Sequence, residues 1–399
     1  MITNSKYKYY FYLFLSILTF ILLFKATYSL SISYKEALNV FVNNSVLSLI
    51  THSSIYIFGQ NDFALRLPFV LFYSLSVIMM YLITEDYFKY EKDRYISILI
   101  FMILPGILSA SLLVNSAIVV TFFTLLYLYC FQKKNEYSYV LLVLFLFIDN
   151  SFAILYLALF FYSLENKNKK LLYFSLILLI LSMYVYGFTT DGKPRGFLVD
   201  TFAIYATVFS PFLFFYFIYS IYRAGIKNER TLTWYISVTA LFVSLIFSFR
   251  QRVYIEDYAP YIVISLPYML KMFFHAYRVR LKEFRRNYNI LAGLVIIMLT
   301  INVILTFVNK PLYLILPNPS KHFVHQYHFV KELAEELKNR GINSITTDNE
   351  ELALRLKFYN IDKGDDYFLS LKNYNYQSER ISIKYYGKEL FVAYLIKLK

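Results

Sequence analysis

The chain holds a single cysteine, Cys130, in 399 residues. One thiol excludes an internal disulfide framework and any metal cluster built on cysteine. Charge is scarce as well. Asp, Glu, Lys and Arg make up 17% of the residues, where a soluble domain carries about 25%. Scarcest of all is charge inside the long apolar runs. A charge deep in a bilayer is costly and marks a transport path or a proton relay. Its near absence argues against an ion-coupled transporter or a flippase with a polar path. What is present is apolar surface: 58% hydrophobic residues, 21% aromatic ones and a mean hydropathy of +0.49. That is a membrane composition, so counting about 150 residues per soluble domain does not apply. The formal charge of +14 resembles that of a nucleic-acid binder. The basic residues nevertheless fall in short loops between apolar runs, which is the positive-inside pattern. No nucleic-acid partner is expected.

The apolar runs predict an all-α polytopic membrane protein of about eleven spans, near 9–30, 64–84, 95–113, 115–132, 137–148, 151–164, 171–188, 201–222, 232–249, 258–274 and 288–308. The first run is about 20 residues, enough to cross a core of about 30 Å at 1.5 Å per residue. No small-x-small cleavage site follows it, so it reads as an uncleaved span. The pair 137–148 and 151–164 is short and broken at Asp149-Asn150. Loop charge sets the orientation. One set of loops holds Lys89, Lys92 and Arg94; Lys133 and Lys134; Lys167, Lys169 and Lys170; Arg223, Lys227 and Arg230; and Arg278, Arg280, Lys282, Arg285 and Arg286. The opposite loops hold only Lys35, Lys193, Arg195, Arg250 and Arg252. The N-terminus is therefore expected inside and the C-terminus outside, an alternation that needs both short runs as separate spans.

Residues 1–311 form the expected membrane domain, with a long outer loop at 31–63. Its patchy amphipathic spacing reads as one or two helices lying in the interface. Residues 312–399 change to mixed charge and predict a small α/β outer domain. "FVKELAEELKNRGI" has helical spacing and stops at Gly341, "INSITT" reads as a strand, and "ELALRLKFYNI" is a second helix. "ERISIKYYGKELFVAYLIKL" reads as a hairpin turning at Gly387.

With that orientation the outer face collects the candidate residues: Lys35, Glu36, Asp62, Arg66, Asn115, Arg195, Arg250 and Arg252. Asp62 and Arg66, at the door of the second span, are expected to fix how the loop enters the membrane. Arg250 and Arg252 lie before a proline-bearing helix, within reach of either a phosphate or Glu256 and Asp257. Asp191, Lys193 and Arg195 sit in an outer loop that could cover a site. His322, His325 and His328 recur three apart. No acid or cysteine stands at ligand spacing beside them, so they read as solvated histidines and not as a metal site.

One stretch carries more. Phe58-Gly59-Gln60-Asn61-Asp62-Phe63-Ala64-Leu65-Arg66-Leu67-Pro68, followed by a span, a basic turn and "ILPGILSASLLVNSA", resembles the integral-membrane glycosyltransferases of type C fold. The nearest likeness is to the protein O-mannosyltransferase and lipid A aminoarabinose transferase superfamily. It is close over about residues 10–165 and rests on layout elsewhere. The resemblance implies a sugar carried on polyprenyl phosphate and moved to an envelope lipid, glycan or protein at the outer face of a bacterial inner membrane. It also implies an acid pair in the first outer loop and a further acid at the start of the fourth span. This chain departs at both places: Tyr34-Lys35-Glu36-Ala37 keeps only Glu36, and Leu113-Val114-Asn115-Ser116-Ala117 has Asn115. The expectation is inverting displacement with Glu36 as base. Asn115 would orient the acceptor, and Lys35, Arg66, Arg195, Arg250 and Arg252 would bind substrate. A divalent metal is compatible with this chemistry and no cofactor is required. The alternative is a catalytically silent relative that binds or organises lipid-linked glycan.

Overall fold

The computed structural model describes residues 5–134, 137–187, 196–227, 230–374 and 378–398. It is mostly helical, with one small sheet near the C-terminus. Among the described residues, five helices are long and apolar enough to cross a membrane: Tyr7–Tyr28, Asp62–Ile83, Ser116–Lys133, Lys169–Tyr186 and Lys282–Phe307. Two bent pairs raise the number to seven if each is one span. Helices Glu91–Ile103 and Pro105–Leu112 meet at 50°, and Leu198–Phe209 and Pro211–Ile226 at 104°.

Several expected spans are thus broken, and the breaks have local causes. Pro105 and Pro211 each open the second helix of their pair, where a missing N–H costs least and the preceding residue is steered out of helix. Ser210 takes φ +82° at the sharper bend. The run 258–274 divides into Ala259–Val263 and Leu266–Val279, with Pro267 just inside the second. The run 137–148 contributes only the seven-residue helix Tyr139–Phe145.

The chain forms two compact units. The first comprises Met1–Ser16, Phe69–Ser111 and Asn115–Thr306. In it helix Phe152–Glu165 packs against Lys169–Tyr186 and Leu232–Ser248. Gly106 lies so close to Val208 that any larger side chain would collide with it. Asp93 and Arg278 are ion-paired.

The second unit comprises Ile17–Pro68, Leu112–Val114 and Phe307–Lys399. The segment between α1 (Ser5–Tyr28) and α4 (Asp62–Ile83) holds two helices, α2 (Tyr34–Phe41) and α3 (Val46–Phe58). The C-terminal part has strands β1 (Ser344–Thr347), β2 (Asp362–Ser370), β3 (Glu379–Tyr385) and β4 (Lys388–Lys397) in the order β1-β2-β4-β3. β1 and β2 are parallel, joined through helix Glu350–Phe358; β2–β4 and β3–β4 are antiparallel. The β3–β4 turn falls at Gly387, whose φ of +80° suits glycine. Helix Val330–Asn339 buries Val330, Leu333 and Leu337 at a spacing of three and four, over Ile345, Leu369 and Ala393 of the sheet. A second small core joins Ile32, Ala37, Val40 and Leu65 to Phe358. The segment between α1 and α4 and the C-terminal segment therefore share one interior.

Candidate functional site

The candidate site is built at the end of α1. A helix leaves its last carbonyls without intrahelical donors. Here a side chain from α4 supplies donors. Arg66 donates from Nη1 to the carbonyls of Ala26 (2.9 Å) and Leu30 (3.0 Å), and from Nη2 to that of Ser31 (3.0 Å). Nη2 also donates to Glu36 Oε2 at 3.1 Å. The guanidinium is 0% exposed. Only arginine's planar fork can serve several acceptors at once in this way.

Glu36 reaches that place because α2 begins with a capping box. Its backbone N–H donates to Ser33 Oγ (3.3 Å), and the Ser33 N–H donates back to Glu36 Oε2 (2.9 Å). Oε1 accepts from the Val114 N–H at 3.1 Å. Glu36 is 1% exposed, whereas Lys35, one step along the same helix turn, is exposed.

A second layer surrounds this pair. Asp62 lies 3.6 Å from Arg66 across one helix turn and 3.0 Å from Lys331 Nζ. Lys331 also donates to the Thr27 carbonyl at 2.9 Å. The Tyr359 hydroxyl donates to Asp62 Oδ1 (2.9 Å) and accepts from the Ile32 N–H (3.0 Å). Burial, and then Asp62, hold its phenol well above the ordinary range. Arg355 donates to the carbonyls of Ile32 (2.8 Å) and Gln326 (2.6 Å). Burial pushes this guanidinium down to about 10. The buried groups here are two acids, Glu36 and Asp62, and two bases, Arg66 and Arg355, with the half-buried Lys331 beside Asp62, and this pairing of opposite charges is what makes their burial tolerable.

The expected residues thus divide. Glu36 and Arg66 meet, and Lys35 stands beside them in the second unit. Arg66, expected to bind substrate, is enclosed, and both terminal nitrogens are engaged by the protein itself. Asn115, Arg250 and Arg252 belong to the first unit. Asn115 Oδ1 accepts from the Ala117 N–H at 2.8 Å, capping helix Ser116–Lys134. Arg250 and Arg252 are exposed between helix Leu232–Ser248 and the turn Ile255–Asp257. Arg195, with Asp191 and Lys193, lies outside the described residues. Sequence reasoning missed Lys331, Arg355 and Tyr359. They sit on helices read only as parts of an appended domain, and nothing in their spacing points back to residues 31–66.

Two comparisons bear on this arrangement. Residues 45–188 match the family model of the dolichyl-phosphate-mannose-protein mannosyltransferases. The whole architecture superposes on a crystal structure of ArnT from Cupriavidus metallidurans in the apo state, with a TM-score of 0.59 and 8% identity, covering 98% of each chain. The fold is that of ArnT. No protein of curated function matches the sequence. With its apolar helices, this ArnT-like chain is a multi-pass membrane protein.

One expectation is overturned in the ArnT-like second unit. The histidines read as solvated are packed inside: His322 is 3% and His328 1% exposed, both against Tyr313. The His322 ring stacks on Tyr313 at 4.2 Å, and His328 Nδ1 shares a 2.9 Å hydrogen bond with the Tyr313 hydroxyl. Burial, and then the charge of Lys310, push His328 down to about 3. His325 is lowered too, by burial and then by Arg355. The polar run hid this because a histidine is buried readily once neutral and hydrogen-bonded. Among the described residues no group of three or more His, Cys, Asp or Glu is placed to hold a metal ion.

Proposed function

We propose that this chain is an integral-membrane glycosyltransferase that moves a sugar from a polyprenyl-phosphate donor to an envelope acceptor (lipid, glycan or protein). The reaction takes place at the outer face of a bacterial inner membrane. The observation that carries the reading is the ArnT fold, over 98% of both chains, in a sequence whose residues 45–188 match mannosyltransferases named for a lipid-phosphate-linked sugar. The excess of Lys and Arg in alternate loops supports an inside N-terminus and a C-terminal segment outside, in the periplasm.

The chemistry is displacement at the anomeric carbon with inversion. The acceptor hydroxyl attacks and gives up its proton, and the C–O bond to the lipid phosphate breaks. Two needs follow: a proton acceptor and a cation for the phosphate. Lys35, exposed on the first turn of α2, is assigned the phosphate. Glu36 is assigned the proton, and on one atom only. Oε2 already accepts from Ser33 and Arg66, and Oε1, which accepts from Val114, is the atom assigned to take it. Arg66 holds the carboxylate in place.

One observation favours a second reading. Glu36 is 1% exposed, and the open position beside it carries a lysine where the resemblance leads one to expect an acid. On that reading the chain binds lipid-linked glycan without turning it over. Purified protein in liposomes, given labelled polyprenyl-phosphate sugars and an envelope lipid extract, separates the two. Transfer by wild type that is lost in Glu36→Gln, with donor binding retained, supports the enzyme. Donor binding without transfer from any sugar supports the silent partner. Transfer unaffected by Glu36→Gln moves the base elsewhere.

A further inference from the structure

The first unit contains a cavity of about 380 Å³ that the transfer reaction does not use. Its size falls within the roughly 300–1,000 Å³ of small-ligand clefts. Its place in the fold is informative. α4 ends there at Ile83, span Ser116–Lys133 ends there with Gln132, and helix Leu232–Ser248 begins there. Apolar helices that stop at one level mark the boundary between hydrocarbon and headgroups. Lys89, Lys92 and Lys133 lie close by in the chain.

The lining has three kinds of group. Leu128 and Phe131 form an apolar wall. Lys271 supplies a cation, its Nζ 5.7 Å from the centroid of the Tyr87 ring. Tyr87 and Thr233 present hydroxyls 3.3 Å apart. Asp86 supplies the anion and is held by Gln132, whose Nε2 donates to Asp86 Oδ2 at 3.0 Å and to the Ile83 carbonyl at 3.3 Å. Asp86 and Lys271 line the same cavity, yet they form no ion pair with each other. A cation and an anion on one cavity wall, separated and beside apolar surface, complement a ligand that is itself zwitterionic and lipidic.

We propose that this cavity holds the headgroup of a phosphatidylethanolamine-type phospholipid of the bilayer. Lys271 and the Thr233 hydroxyl take the phosphate, Asp86 takes the primary ammonium, and the acyl chains start along Leu128 and Phe131. Asp86 also sets the selectivity. A primary ammonium donates hydrogen bonds to a carboxylate, a choline headgroup cannot, and a net-anionic headgroup meets Asp86 as a like charge.

The test is lipid retention by the full chain, purified from bilayers of equal ethanolamine, choline and glycerol phospholipids and read by mass spectrometry. The readout needs no transfer activity. Wild type should retain the ethanolamine lipid about fivefold above its bulk share, the effect of one well-placed charge at a lipid surface. Asp86→Asn should lower its ratio to the glycerol lipid, and Lys271→Gln should bring all three to bulk proportions. Both side chains are exposed, so both variants should keep the wild-type melting temperature. Lys363→Gln, at an exposed position of β2, should change nothing. Excess soluble glycerophosphoethanolamine should fail to displace the lipid, which separates a bilayer ligand from a free one. Bulk proportions on the wild type, or equal enrichment on both variants, would overturn the proposal.

Discussion

Replacing Arg66 by Met tests the centre of the candidate site. The substitution keeps an unbranched side chain of helical character but removes four hydrogen bonds: three to the carbonyls of Ala26, Leu30 and Ser31 and one to Glu36. Glu36 is then a buried carboxylate without its cation, and Asp62 keeps Lys331 as its cation and Tyr359 as a donor. Breaking a buried pair by removing one partner costs about 3–5 kcal/mol. The carbonyls can recover little, because Ala26, Leu30 and Ser31 are buried and shielded from water. Thermal unfolding in detergent should therefore show Arg66→Met destabilised by about 3–5 kcal/mol. Arg66→Lys should fall between, since one ammonium cannot reach four acceptors arranged for a fork. The cycle with Glu36→Gln gives the decisive number. If the charges hold each other, the double variant loses less than the sum of the singles by about 1–3 kcal/mol. A loss below about 1 kcal/mol for Arg66→Met, or strict additivity in the cycle, would refute the reasoning. It would show that well-packed apolar atoms replace this network at no cost.

Three further outcomes follow from the same geometry. Glu36→Gln should lower sugar transfer by about 10²–10⁴-fold with donor binding retained, the contribution of a positioned base; single-turnover transfer in liposomes measures it. Tyr359→Phe removes both the donor to Asp62 and the acceptor for the Ile32 N–H, and should cost about 1–3 kcal/mol in the same unfolding assay. The buried His328 makes stability depend on pH. Its ring is lowered from 6.5 to about 3, so below pH 6.5 the unfolded chain takes up a proton that the folded one refuses. Its contribution is fully present above pH 6.5 and lost as the pH falls toward 3, with a slope of up to about 1.4 kcal/mol per pH unit. A pH series of melting curves should show that slope for wild type and a shallower one for His328→Phe.

The sequence carried the broad architecture through hydropathy, and it pointed to Arg66 through one short motif. The helical character of the loop, the C-terminal helices and the turn at Gly387 were legible because their signals are local: apolar spacing and a glycine. The second strand was not. "DKGDDYFLS" begins with four charges in five residues and lacks a strand's alternation. It is held by β1 and β4 on either side, and Gly364 is there because the Ser344 side chain lies against it. The broken spans show a different limit. A hydropathy window runs straight over Pro105 and Pro211, yet each proline ends one helix and starts another at an angle. As for the site, Glu36 and Arg66 stood out in the sequence as chemistry. Their engagement by Ser33, Val114 and the end of α1 depends on a folded backbone that no spacing rule reports.

The network at the end of α1 also has a consequence in time. Asp62 and Tyr359 are 297 positions apart, and a ribosome adding about 5–20 residues per second needs roughly 15–60 seconds to pass from one to the other. Through that interval α1, α2 and α4 are already made, Arg66 has Glu36, and Asp62 has neither Lys331 nor Tyr359. The last helices of the chain complete a charge balance that the first ones opened. A nascent chain cut before Lys331 therefore leaves Asp62 to share the single cation of Arg66 with Glu36.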